Sequence, residues 1–75
     1  MSALPVLRPR EVVAALVRAG FVAHHQTGSH LVLKRAGVPP RRVTVPMHGR
    51  DLKTGTLRSI VRESGMTVDE FLDLL

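Results

Sequence analysis

The chain contains no cysteine, tryptophan or tyrosine, and only two phenylalanines, Phe21 and Phe71. Without cysteine, neither a disulfide nor a thiolate metal site can form, and this composition is compatible with a reducing compartment. Both phenylalanines have apolar neighbours and are expected in the core, so the chain lacks the stacking platforms of RRM- and OB-type single-strand binders. No apolar run approaches the roughly 18–20 residues that span a bilayer, and the N-terminus does not resemble a signal peptide. We therefore expect a cytoplasmic protein that does not associate with membranes.

Negative charge is absent from a long stretch of the chain. Between Val12 and Arg50 there is no Asp or Glu, and that stretch holds six cations: Arg18, Lys34, Arg35, Arg41, Arg42 and Arg50. After Arg62 the sign reverses, since four acidic residues follow without a Lys or Arg. The net charge over 75 residues is +5. This segregation favours a basic face for a nucleic acid; the alternative is a solvated face that reflects an Arg-rich composition.

The hydrophobic pattern predicts six short elements within a single domain over residues 1–75. The segment RPREVVAALVRAG predicts a helix over roughly 9–19, with Pro9 in its first turn and Gly20 at its end. FVAHHQ, SHLVLKR and RRVTVP predict three antiparallel strands, because the turn-forming segments TG and AGVPP separate them. TGTLRSIVRESG predicts a second long helix. MTVDEFLDLL predicts a short third helix, with a capping box of Thr67 and Glu70.

The order α-β-β-β-α with an extra C-terminal helix predicts an α+β two-layer sandwich with a three-stranded antiparallel sheet. The double-stranded-RNA-binding domain (dsRBD) has the same element order. Side chains alternate along a strand. If the strand leucines, Val43 and Val45 face the core, the opposite face therefore carries His30, Lys34, Arg42 and Thr44. The sequence thus predicts a basic sheet surface with one histidine.

Four histidines are the candidates for proton transfer or metal binding. A zinc site needs three or four ligands, and the carboxylates lie almost wholly outside the histidine-bearing region, so we expect no metal. Ser29 precedes His30, but neighbouring strand residues point to opposite faces, which argues against a nucleophile–base pair. His30 is then either a polar surface residue or an acid–base group in RNA cleavage. His24 and His25 are expected to be surface or packing residues. His48 is either a second proton-transfer group or a loop residue.

Four segments carry a family resemblance: the first helix ending in RAGF, GSH at 28–30, RVTVPMH at 42–48 and DLKTGTLRSIVRESGM at 51–66. In this order and spacing they resemble HicA-type mRNA interferase toxins of bacterial type II toxin–antitoxin systems. The resemblance implies a dsRBD-like fold, metal-independent and cofactor-free endoribonuclease activity on mRNA, and neutralisation by a HicB-type antitoxin. It places the catalytic histidine at His30. It gives no firm role to His48 and does not cover the C-terminal segment, whose acidic helix is expected to serve packing or dimer contacts.

The expected site centres on His30 as general acid or base. Gly28 and Ser29 form the turn that presents it, and Gly28 is expected to have a positive φ, so that Gly28→Val should damage folding as well as activity. The candidate RNA contacts are Lys34, Arg35, Arg42, Thr44 and His48. An antitoxin is expected to cover His30 with an acidic surface.

Two other functions remain open at this stage. The first is a non-catalytic RNA-binding or antitoxin-binding module of the same fold. The second is a small DNA-binding regulator, which the sequence favours less because Arg58 and Arg62 are the only cations inside the second long helix.

Overall fold

The structure is a computed structural model, and it describes residues 3–75. Helix α1 (Pro9–Arg18) precedes strands β1 (Val22–Thr27), β2 (His30–Arg35) and β3 (Arg41–Pro46), which are followed by helices α2 (Thr54–Ser64) and α3 (Val68–Leu72). The strands form one antiparallel sheet in the order β1-β2-β3. This confirms the predicted α+β arrangement. None of the helices within residues 3–75 has the length and apolar character needed to span a membrane.

The helices begin and end where the local chemistry predicts. Pro9 occupies the first turn of α1, and the Glu11 side chain accepts a hydrogen bond from the backbone N–H of Arg8 at 2.9 Å. Helix α2 ends at Gly65, whose φ of 80° is the left-handed conformation of a C-terminal cap. Helix α3 begins with the predicted capping box, in which Thr67 and Glu70 exchange hydrogen bonds of 2.8 and 3.1 Å. Each helix therefore satisfies terminal backbone groups locally.

The core lies between the helices and one face of the sheet. Helices α1 and α2 both contact β3. The inward residues of β2 and β3 are buried against the apolar faces of the helices, together with both phenylalanines; these core residues include Leu33, Val43, Val45, Leu16, Ile60, Phe21 and Phe71. This agrees with the expected packing of the two aromatic rings.

The opposite face of the sheet carries no helix among the described elements, and we call it the outer face. Across β2 and β3 it presents three cross-strand pairs: His30 with Pro46, Val32 with Thr44, and Lys34 with Arg42. The predicted alternation is therefore confirmed, and His30, Lys34, Arg42 and Thr44 share this face. Strand β1 adds His25, which lies opposite Val32.

Candidate functional site

A two-residue turn places His30 at the start of β2. Gly28 has a φ of 56°, while Ser29 has a negative φ, so the first residue of this two-residue hairpin turn is the one that needs a positive φ. Such turns match the right-handed twist of the flanking strands, so β2 begins directly after the turn. The positive φ expected at Gly28 is confirmed.

A second contact fixes this turn to the end of β3. The backbone N–H of Met47 donates a hydrogen bond to the carbonyl oxygen of Ser29, and Pro46 lies opposite His30 in the ladder. His30 is thus positioned by the turn on one side and by β3 on the other. Its side chain is exposed, which leaves the imidazole accessible to a substrate on the outer face.

The two cations of the outer face lie together at the other end of the ladder. Lys34 and Arg42 are directly opposite each other, and both are exposed. Like charges that face each other across a ladder repel, so this pair favours an anion between or above them. Lys34 is four residues from His30 along β2, or about 13 Å at roughly 3.3 Å per residue. The pair is therefore placed to bind an anionic group beside the His30 position, and not one in contact with the imidazole.

Arg35 does not share the outer face. Its guanidinium carbon lies 5.0 Å from the centroid of the Phe21 ring, and its Nη1 donates to the carbonyl oxygen of Ala19 at 3.4 Å. The side chain is half-buried and packs beside the C-terminal end of α1. Of the predicted RNA contacts, Lys34, Arg42 and Thr44 lie on the face of His30, and Arg35 does not.

His48 lies in the loop after β3. Its Nδ1 accepts a hydrogen bond of 3.1 Å from the backbone N–H of Arg50, which leaves Nε2 as the outward nitrogen. The ring lines a surface depression of about 450 Å³ together with Pro46 and Lys53. Because Pro46 faces His30 across the ladder, this depression adjoins the His30 end of the outer face.

A β-bulge brings two further histidines to the site. Ala23 pairs with Leu33 and His25 pairs with Val32, so His24 is an additional residue in β1. The positive charge of Lys34 is the main reason that the pKa of His24 lies below its usual value, and partial desolvation, His25 and Arg42 act in the same direction. His24 therefore lies near the cation pair of the outer face. All four residues that follow Ala23 in β1 are polar, so no alternation of polar and apolar residues marks the bulge in the sequence.

Gly28 gives a stability prediction. We expect Gly28→Val to lower the thermal unfolding midpoint, because the left-handed region costs an ordinary residue about 1–2 kcal/mol and a β-branched one more. No atom lies within 4 Å of an added Cβ, so the cost is backbone strain and not a clash. Gly28→Asn is the matched control, since Asn tolerates this conformation. A valine variant as stable as the asparagine variant in thermal denaturation would show that the turn does not require this φ.

The family comparison covers the elements that build this site. The family model described as the HicA toxin of bacterial toxin–antitoxin systems matches residues 9–66, from the start of α1 to just beyond α2, and includes His30 and the outer face. No curated protein matches the chain significantly. The resemblance drawn from the four sequence segments is thus confirmed. The chain belongs to the HicA toxin family of bacterial toxin–antitoxin systems.

Proposed function

We propose that this toxin is a metal-independent endoribonuclease that cleaves mRNA with His30 as its catalytic residue. The observation that carries the proposal is the position of His30, an exposed imidazole at the start of β2 on the same face as Lys34 and Arg42. The strands of the sheet contain no Asp or Glu that would repel a phosphate chain. An imidazole transfers protons near neutral pH, and cations stabilise phosphate charge.

The reaction that fits these groups is transesterification of the RNA backbone. The 2′-oxygen bonds to phosphorus while the bond from phosphorus to the 5′-oxygen breaks, which leaves a 2′,3′-cyclic phosphate and a 5′-hydroxyl. Two protons move: one leaves the 2′-hydroxyl and one reaches the 5′-oxygen. His30 transfers one of these protons as general base or acid, and a water molecule transfers the other. Lys34 and Arg42, about 13 Å along the strand, bind flanking phosphates.

The outer face is also the surface at which we expect the antitoxin to bind. Membership of a toxin–antitoxin family implies an antitoxin, and we propose a HicB-type protein whose acidic surface covers His30 and the cation pair. Complementary charge speeds association and fixes orientation. An antitoxin bound there also excludes RNA, because the antitoxin and RNA both bind the outer face.

The first test is cleavage of a long, weakly structured transcript in EDTA. We expect fragments that end in a 2′,3′-cyclic phosphate, and we expect DNA of the same sequence to remain intact because it has no 2′-hydroxyl. Fragmentation of the DNA would contradict the chemistry, and loss of RNA cleavage in EDTA would contradict metal independence. A transcript that is bound in a gel-shift assay but never cut would favour the non-catalytic module instead.

A further inference from the structure

The bulge in β1 builds a pair of aromatic rings on the outer face. The imidazoles of His24 and His25 have centroids 5.1 Å apart and an interplanar angle of 74°, an edge-to-face arrangement. Both residues are exposed. In a chain whose two phenylalanines are buried, these exposed rings are the aromatic surfaces that can meet a nucleobase.

This pair lies between His30 and the cations. His25 is opposite Val32, and on the outer face Val32 is flanked along β2 by His30 on one side and Lys34 on the other. Diagonal neighbours across a ladder are about 7–8 Å apart. A chain that runs over the sheet from His30 toward Lys34 therefore passes the histidine pair.

A cationic depression lies at the far end of this path. It measures about 410 Å³ and is formed where β2 and β3 are joined; its lining residues are Lys34, Arg35, Ala36, Pro40, Arg41 and Arg42. Arg35 and Arg41 line it with their aliphatic parts, because the guanidinium of Arg35 lies over Phe21 and that of Arg41 lies beside Gly65. The exposed cations at its edge are Lys34 and Arg42, and two like charges that face each other across a ladder favour a bound anion.

The neighbouring cations set the charge state of His24 in the free protein. The pKa of His24 lies below its usual value, chiefly because of Lys34, so its imidazole is neutral at pH 7. A heteroaromatic ring beside cations can stack on a base while the cations hold the phosphate. Bases inside an A-form duplex are not open to such stacking, and the occupant that fits is therefore unpaired RNA.

We propose that His24 and His25, together with the depression at Lys34 and Arg42, form a subsite for unpaired RNA beside His30. A base packs against the histidine pair, and the adjacent phosphate enters the depression. This proposal rests on the proposed function, because it takes RNA as the substrate. It assigns binding, and not proton transfer, to the two histidines.

Phosphate binding at this subsite is coupled to proton uptake. A phosphate near His24 offsets the charges of Lys34 and Arg42, so the pKa of His24 is higher in the complex than in the free protein. Since the bound state holds more protons, affinity rises as the pH falls from 7.5 to about 6.

The test measures binding of a short unpaired RNA to the intact protein in the His30→Ala background, which prevents cleavage during the titration. We expect the double variant His24→Gln/His25→Gln to bind about tenfold more weakly, in line with the loss of base stacking, and to lose most of the pH dependence. Binding of duplex RNA should change much less. Unchanged affinity for the unpaired RNA, or an equal loss with the duplex, would overturn the subsite.

The cations are tested through salt dependence, with a charge-matched control. Lys34→Gln/Arg42→Gln should reduce the magnitude of the slope of log K, where K is the binding constant, against log salt by about 1.4. Each lost contact to a single-stranded nucleic acid removes about 0.7. Arg58→Gln/Arg62→Gln removes the same charge from exposed positions of α2 and should leave the slope unchanged. Equal slopes for the two variants would overturn the phosphate assignment.

These binding measurements separate this proposal from the catalytic one. If wild-type protein cleaves no RNA and the histidine double variant still binds it more weakly, the subsite stands and the catalytic proposal fails. If the same two substitutions leave binding normal in the His30→Ala background but slow cleavage when His30 is present, the histidines act in the reaction and the subsite is wrong.

Discussion

Replacing His30 with alanine is expected to slow RNA cleavage by about 10²–10⁴-fold, the range that a positioned acid–base group contributes. RNA affinity should change far less, because Lys34 and Arg42 remain on the outer face. The fold should also persist, since the His30 side chain is exposed and substitutions at exposed positions usually change stability by no more than about 0.5 kcal/mol. Single-turnover cleavage in EDTA, a gel shift and a thermal melt of the same preparation measure the three quantities.

His48→Ala is the matched control for this prediction. It removes an imidazole from the loop next to Pro46, and we expect its loss of rate to stay below the roughly 100-fold lower limit of acid–base catalysis. An equal loss in both variants would replace the single-histidine mechanism with a two-histidine one. Full cleavage by His30→Ala would show that His30 is not the catalytic group.

The elements of the fold were predictable because the capping and turn residues lie where the periodicity of the hydrophobic residues changes. Pro9 and Gly65 mark a helix start and a helix end, and Thr67 with Glu70 marks another start. The two-residue turn at Gly28 fixes the phase of β2, and that phase decides that His30 points away from the core. Each of these features depends on a few neighbouring residues, which is why the sequence alone predicts them.

The site was less predictable where one residue changes the phase of a strand or where distant segments meet. Strict alternation cannot place both His24 and His25 on the outer face; only the pairing with β2 shows that His24 is an inserted residue. The alternation does direct Arg35 away from Lys34, but its contacts with Phe21 and Ala19 depend on how α1 packs. Long side chains at the end of a strand are therefore placed by tertiary contacts that no local pattern contains.

Replacing Phe71 with alanine is expected to remove about 3–5 kcal/mol of stability, the usual cost of deleting a large buried aromatic ring. Phe71 is fully buried in the core although α3 lies beyond residues 9–66, which the family model matches. A domain of 75 residues has a total stability of about 4–11 kcal/mol. The variant should therefore lose from about a quarter to all of its stability and unfold at a clearly lower temperature and urea concentration than the unsubstituted protein, as measured by urea and thermal denaturation followed by circular dichroism.

Leu75→Ala is the control for this second prediction, because Leu75 lies just after the same helix but is 49% exposed. It should change stability by no more than about 0.5 kcal/mol. A large difference between the two variants would establish that α3 closes the core through Phe71, which is the packing role expected of the C-terminal helix. Equal stability would show that the ring adds nothing to the core. The acidic face of α3 would then be the part of this segment to examine for contacts with another chain.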